Sequence, residues 1–148
     1  MNGLKIIRFD HLHANPADYD SFVSNLETLI GHPVSMNMPM PDYGCDVAYE
    51  PFPVGVEAFR STSPDNQTWS GRLAATEKGV FSICFKVEKL DEATAFMEEH
   101  GWKKLEHYDN GPIQEALFDT KAAFGFYMEL IEYPFHTIGE MMAMAAQG

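Results

Sequence analysis

The sequence predicts an α+β fold of two tandem βαβββ modules, whose strands form a curled mixed or antiparallel sheet with the helices outside. Three observations carry this. Strand-like alternation restarts at Gly79 after a polar connector. Each half holds one amphipathic helical stretch that ends at a glycine, Gly31 or Gly101. Matched residues also recur about 70 positions apart, Gly31 with Gly101, His11 with Ser82 and Glu57 with Glu129. One module alone would leave sheet edges and one face bare, whereas two can pair into one sheet. The expected organisation is a single domain over 1–148, with modules at 4–61 and 79–134, a connector at 62–78 and a tail at 135–148.

Each element has a local reason. Residues 4–14 read as a first strand. Asn15-Pro16 reads as a helix N-cap followed by proline at the first helical position. Phe22, Val23, Leu26, Leu29 and Ile30 make the apolar stripe of that helix. Extended pieces follow at about 34–38, 45–50 and 54–61, punctuated by Pro39, Pro41, Gly44, Pro51 and Pro53. The connector holds one helical turn near Leu73. The second module starts with a strand from Val80 to Val87. A helix from Asp91 to His100 follows, with Leu90, Ala93, Phe96 and Met97 on one side. Three more extended pieces fall at about 102–109, 113–119 and 125–133. The Met- and Ala-rich tail from His136 to Gln147 reads as a short helix, suited to packing on the body or on another subunit.

Composition narrows the class. The 148-residue chain carries a formal net charge of −12, with only 10 Lys and Arg. That balance argues against nucleic-acid and anionic-membrane partners, because phosphate requires basic patches. A small anionic substrate stays compatible, since one local cation suffices. Cys45 and Cys84 make neither a disulfide framework nor a metal-binding Cys motif. No run has signal-peptide or membrane-spanning character. The expectation is a soluble cytoplasmic protein with a small-molecule substrate, no nucleic-acid or membrane partner, and a homodimeric state.

Glu129 is the informative oddity, a carboxylate between Met128 and Leu130 in an otherwise apolar strand. Either it faces water or it faces something that attracts an anion, since burying an uncompensated polar group costs about 2–7 kcal/mol. Strand alternation assigns the faces. Val56, Ala58, Ile83, Phe85, Val87, Met128 and Leu130 pack towards helices. His11 and His13 share the opposite face with Glu57, Phe59, Ser82, Cys84, Lys86, Tyr127, Glu129 and Ile131. A His and two carboxylates, His11, Glu57 and Glu129, suit a divalent cation that also polarises a carbonyl oxygen. Glu129 or Glu57 then serves as the base, because a carboxylate in an apolar cleft titrates upward. Ser82, His13, Phe59 and Tyr127 are candidate substrate contacts. The plainer readings are a hydrogen-bonded His11 at a strand end and a solvated Glu57. His32, His100, His107 and His136 sit at element ends and read as solvated.

Asp10-His11-Leu12, the run Glu77 to Val87 followed by Leu90-Asp91-Glu92-Ala93, and Glu129-Leu130-Ile131-Glu132 resemble the vicinal oxygen chelate superfamily. This is the glyoxalase, bleomycin-resistance and extradiol-dioxygenase fold, and the likeness spans about residues 4–134. It implies metal ligands at His11, Glu57 and Glu129, with the fourth place at Ser82, where many members have His. The metal would be Mg, Mn, Co, Ni, Zn or Fe, and loss of the metal is the alternative that Ser82 leaves open. Leu73 to Val87 most resembles the methylmalonyl-CoA epimerase-like branch. This implies a metal-dependent isomerase, epimerase or lyase that works through an enolate of a small oxygen-rich substrate. The alternatives are a non-catalytic ligand-binding protein with a groove lined by Phe9, Phe59, Tyr127 and Trp69, and a ring-cleaving dioxygenase, which Ser82 disfavours.

Overall fold

The computed structural model describes residues 3–63 and 65–148, so Pro64 in the connector lies outside the described residues. The element order is the expected βαβββ twice over. The chain clusters into two compact units. A central unit is Leu12–Phe81, and a terminal unit joins the chain up to His11 with Ser82–Gly148. The first strand, β1 (Ile6–Asn15), contributes to both.

In the central unit, β1 is followed by α1 (Tyr19–Ile30), β2 (Met36–Met40), β3 (Cys45–Glu50), β4 (Val56–Ser61) and α2 (Trp69–Thr76). The strand order is β2-β3-β4-β1, with β1 and β4 parallel and the other pairs antiparallel. Tyr19, Val23 and Leu26 of α1 pack on Val34, Ala48 and Ala58. Pro39 falls on β2, the outermost strand in this order, where proline is tolerated because one edge carries no partner strand.

The terminal unit runs β5 (Gly79–Val87), α3 (Leu90–Glu99), β6 (Lys104–Asn110), β7 (Ile113–Phe118), α4 (Lys121–Phe124), β8 (Tyr127–Glu132) and α5 (Ile138–Ala145). All of β5 from Ser82 onward belongs to it. Its order is β5-β8-β7-β6, with β5 and β8 parallel. Leu90, Ala93 and Met97 of α3 pack on Val87, Ala116, Phe118 and Leu130, with Phe85 and Met128 beside them. Of these strand residues, Phe85, Val87, Met128 and Leu130 are helix-facing ones that alternation assigns, and Ala116 and Phe118 of β7 join them. Glu132, one face away from Glu129, turns to the helix side, and its Oε2 accepts the Leu90 N–H at 2.6 Å. It thereby satisfies an open donor at the N-terminus of α3.

Several local expectations give way to a competing interaction. Asn15 is the last residue of β1, not a helix cap, because its amide donates to the Ala74 and Glu77 carbonyls of the connector. Asp18 caps α1 instead, accepting the Ser21 N–H at 2.9 Å. Leu29 is 83% exposed. The buried stripe of α1 runs through Tyr19, Val23 and Leu26, and Leu29 falls off its edge. The expected turn near Leu73 is the two-turn α2, and α4 was not anticipated. The α1 stop holds, with Gly31 at φ 81° where a β-carbon would be strained. No helix among the described residues is long and apolar enough to cross a membrane.

Leu130 is fully buried at the centre of the terminal core. Leu130→Ala is expected to lower unfolding stability by about 3 kcal/mol, read by urea denaturation.

Candidate functional site

The terminal unit places His11, Cys84 and Glu129 together. The parallel β5–β8 register sets Cys84 directly beside Glu129, and His11 comes from the last β1 residue of the same unit. The imidazole Nε2 of His11 lies 4.0 Å from Glu129 Oε1. One donor atom from each of His11, Cys84 and Glu129 lies within 4.8 Å of the others. Their exposures are 1%, 0% and 2%. Glu129 is therefore not on a solvated outer face.

Asp10 orients the histidine. Its Oδ1 lies 2.8 Å from His11 Nδ1. Its Oδ2 accepts from the Tyr133 hydroxyl at 2.5 Å, and Arg8 donates to that hydroxyl at 2.6 Å and to Asp10 at 3.4 Å. Burial opposes the charge on Asp10. The hydrogen bond and charge of His11, the Tyr133 hydroxyl and the Arg8 guanidinium outweigh it and hold the carboxyl below its ordinary value. Burial first, then the bond to Asp10, pushes the Tyr133 phenol far above its own. Tyr133 is thus a fixed donor and Asp10 a fixed acceptor at neutral pH. An ionised carboxylate only accepts, so Nδ1 of His11 carries its proton. Nε2 then faces Glu129 either as the N–H of an imidazolium or as a lone pair able to bind a cation.

Lys86 lies on the same face of β5 as Cys84. Its ammonium sits 3.8 Å above the Tyr133 ring and donates to the Phe135 carbonyl and to that of His136 at 3.5 Å. Burial and the charge of Arg8 draw its pKa below the usual lysine range. Its role here is to hold the start of the tail.

The central unit holds the other pair. Glu57 is the β4 partner of His13 on β1, and Nε2 of His13 lies 3.0 Å from Glu57 Oε2. The His13 ring stacks on Phe81 at 5.8 Å and tilts against Phe59 at 5.4 Å. Phe59, expected to touch substrate, is buried in this ring cluster. Of the other expected contacts, Tyr127 is half-buried beside Ser82 across the β5–β8 pair, with Lys121 at 5.6 Å from its ring. His32, His100, His107 and His136 are exposed.

An imidazole nitrogen, a thiol sulfur and a carboxylate oxygen make a borderline donor set that fits a first-row divalent ion. Ser82 adds to the fit. Its Oγ is buried, on the face that Cys84 shares, with no hydrogen-bond partner among the described residues. Sequence reasoning put His11, Cys84, Lys86 and Glu129 on one face, but gave Cys84 no part in the site and did not single out Tyr133. The period-2 alternation of β5 already carried Cys84 and Lys86 to that face.

The fold is that of the glyoxalase-like, vicinal oxygen chelate proteins. Methylmalonyl-CoA epimerase from Mycobacterium tuberculosis superposes with a TM-score of 0.69 at 15% identity, covering 91% of this chain and 93% of that one. Streptomyces coelicolor methylmalonyl-CoA epimerase, in complex with 2-nitronate-propionyl-CoA, gives 0.68 at 20% identity over 88% of this chain and 100% of its own. A hypothetical protein from Bacillus halodurans C-125 gives 0.69 at 15% identity, covering 87% and 96%. No family model and no curated protein matches the sequence.

Tyr133→Phe keeps the ring and removes the hydroxyl that bridges Arg8 and Asp10. It is expected to cost about 1–3 kcal/mol of stability, because the buried Asp10 and the half-buried Arg8 each lose a hydrogen bond. Thermal and urea unfolding of the variant check this.

Proposed function

We propose that the protein is a metal-dependent isomerase or epimerase, or a lyase of the same chemistry, acting on a small oxygen-rich substrate through an enolate. The observation that carries the reading is the buried His11–Glu129 pair, with His11 oriented by Asp10, in a fold shared with methylmalonyl-CoA epimerases. A divalent ion would be held by His11 and Glu129, and when bound it would polarise a substrate carbonyl.

The chain's own residues then divide the work. Asp10 holds the His11 proton on Nδ1, and the Tyr133 hydroxyl and Arg8 hold Asp10. Glu129, shielded from water, is the carboxylate that takes the proton alpha to the carbonyl. Glu57 is proposed, on the strength of the sequence repeat, as a further ligand or as the second proton-moving carboxylate. Its hydrogen bond to His13 gives it a proton partner within its own unit. An acyl-CoA is the natural first substrate to try, because the structural neighbours include epimerases of methylmalonyl-CoA. A cytoplasmic homodimer without nucleic-acid or membrane partners belongs to the same reading.

A second reading, a non-catalytic small-molecule binder, is favoured by Ser82, a weak metal ligand at the position that matches His11. The two separate on solvent exchange. In deuterated buffer with added divalent metal, the enzyme is expected to exchange the alpha proton of methylmalonyl-CoA or a related acyl thioester. Glu129→Gln is expected to lower that rate by about a hundredfold or more, the usual contribution of a positioned general base. It should also weaken metal binding in equilibrium dialysis. Ligand binding without exchange supports the binder, and the absence of any metal binding overturns the metal-dependent reading.

A further inference from the structure

We propose that Cys84 is a metal ligand, supplying as a thiolate the donor that the Ser82 hydroxyl does not. The inference rests on the metal-dependent reading above and goes further, to the donor set and the metal class. Ser82 occupies the repeat position that matches His11, yet a neutral hydroxyl is a weak ligand. The next side chain on the same face of β5 is Cys84. The β5–β8 register sets it beside Glu129, and its sulfur falls within the 4.8 Å cluster with His11 and Glu129. Cys84 is fully buried and reduced. The buried Ser82 Oγ, one step along the same face and without a hydrogen-bond partner among the described residues, marks this face as polar. Core packing alone would not retain such an atom there.

The chemistry follows from the donors. The sulfur–metal bond forms as the S–H bond breaks, and the proton leaves to solvent. One imidazole, one thiolate and one carboxylate favour Zn2+, Co2+ or Fe2+ over Mg2+ and Ca2+, which prefer oxygen alone. The site is thereby assigned to a borderline transition ion.

Cobalt substitution tests this without an activity assay. Co2+ added to the metal-free protein is expected to give visible ligand-field bands together with a near-ultraviolet thiolate-to-cobalt charge-transfer band. Cys84→Ser should remove the charge-transfer band and weaken Zn2+ binding by about tenfold or more, at least the loss caused by disturbing an outer-shell partner. Cys45→Ser, at the other cysteine of the chain, should keep the band. Visible bands without charge transfer, or a band that survives Cys84→Ser, overturn the assignment of Cys84 while leaving the metal site standing. Failure of the wild type to bind Co2+ or Zn2+ overturns both. If the Cys84 variant does not fold, Cys45→Ser decides alone, because Cys84 is then the one thiol left to give the band.

Discussion

The terminal unit depends on keeping one charge out of water. Asp10 is 1% exposed, and an isolated carboxylate at such a place would cost several kcal/mol. Three donors offset that cost: the His11 imidazole, the Tyr133 hydroxyl and the Arg8 guanidinium. They come from the first strand and from the residue after the last. The network therefore joins the N-terminal strand to the end of the second module within one unit. It also leaves His11 no freedom in which nitrogen faces Glu129.

From that constraint the chemistry follows in steps. A histidine with its Nδ1 proton committed offers Nε2 alone, and Nε2 lies opposite a buried carboxylate. Two acceptors at that separation are stable only with a proton or a cation between them. A thiol beside the carboxylate softens the set. The central unit repeats half of the design, with the His13–Glu57 pair at 3.0 Å and the rings of Phe59 and Phe81 against the imidazole. Each unit thus pairs one histidine with one strand carboxylate, although the two pairs differ in packing and in their neighbours.

Much of this was legible in the sequence, because strand alternation and the repeat are both periodic signals. The matched strand positions of Glu57 on β4 and Glu129 on β8 follow from the repeat, and the helix-facing residues Phe85, Val87, Leu130 and Ala58 follow from alternation. What was not legible depends on contacts far apart in the chain. The bond between Tyr133 and Asp10 joins opposite ends of the sequence, and nothing near Pro134 announces it. Asn15 looks like a helix cap until the carbonyls of Ala74 and Glu77 claim its amide. Cys84 was visible on the right face but has no second cysteine near it in the sequence, and motif reasoning recognises thiol ligands mainly in groups.

The claim that carries the most weight is that Asp10 fixes the tautomer of His11. Long-range 15N–1H correlation spectra of the histidine side chains, with His11 assigned by mutation, read this directly. A proton held on Nδ1 of His11 is expected, with a change in that signature when Asp10 is replaced by Asn. A neutral His11 with its proton on Nε2 and a bare Nδ1 would contradict it.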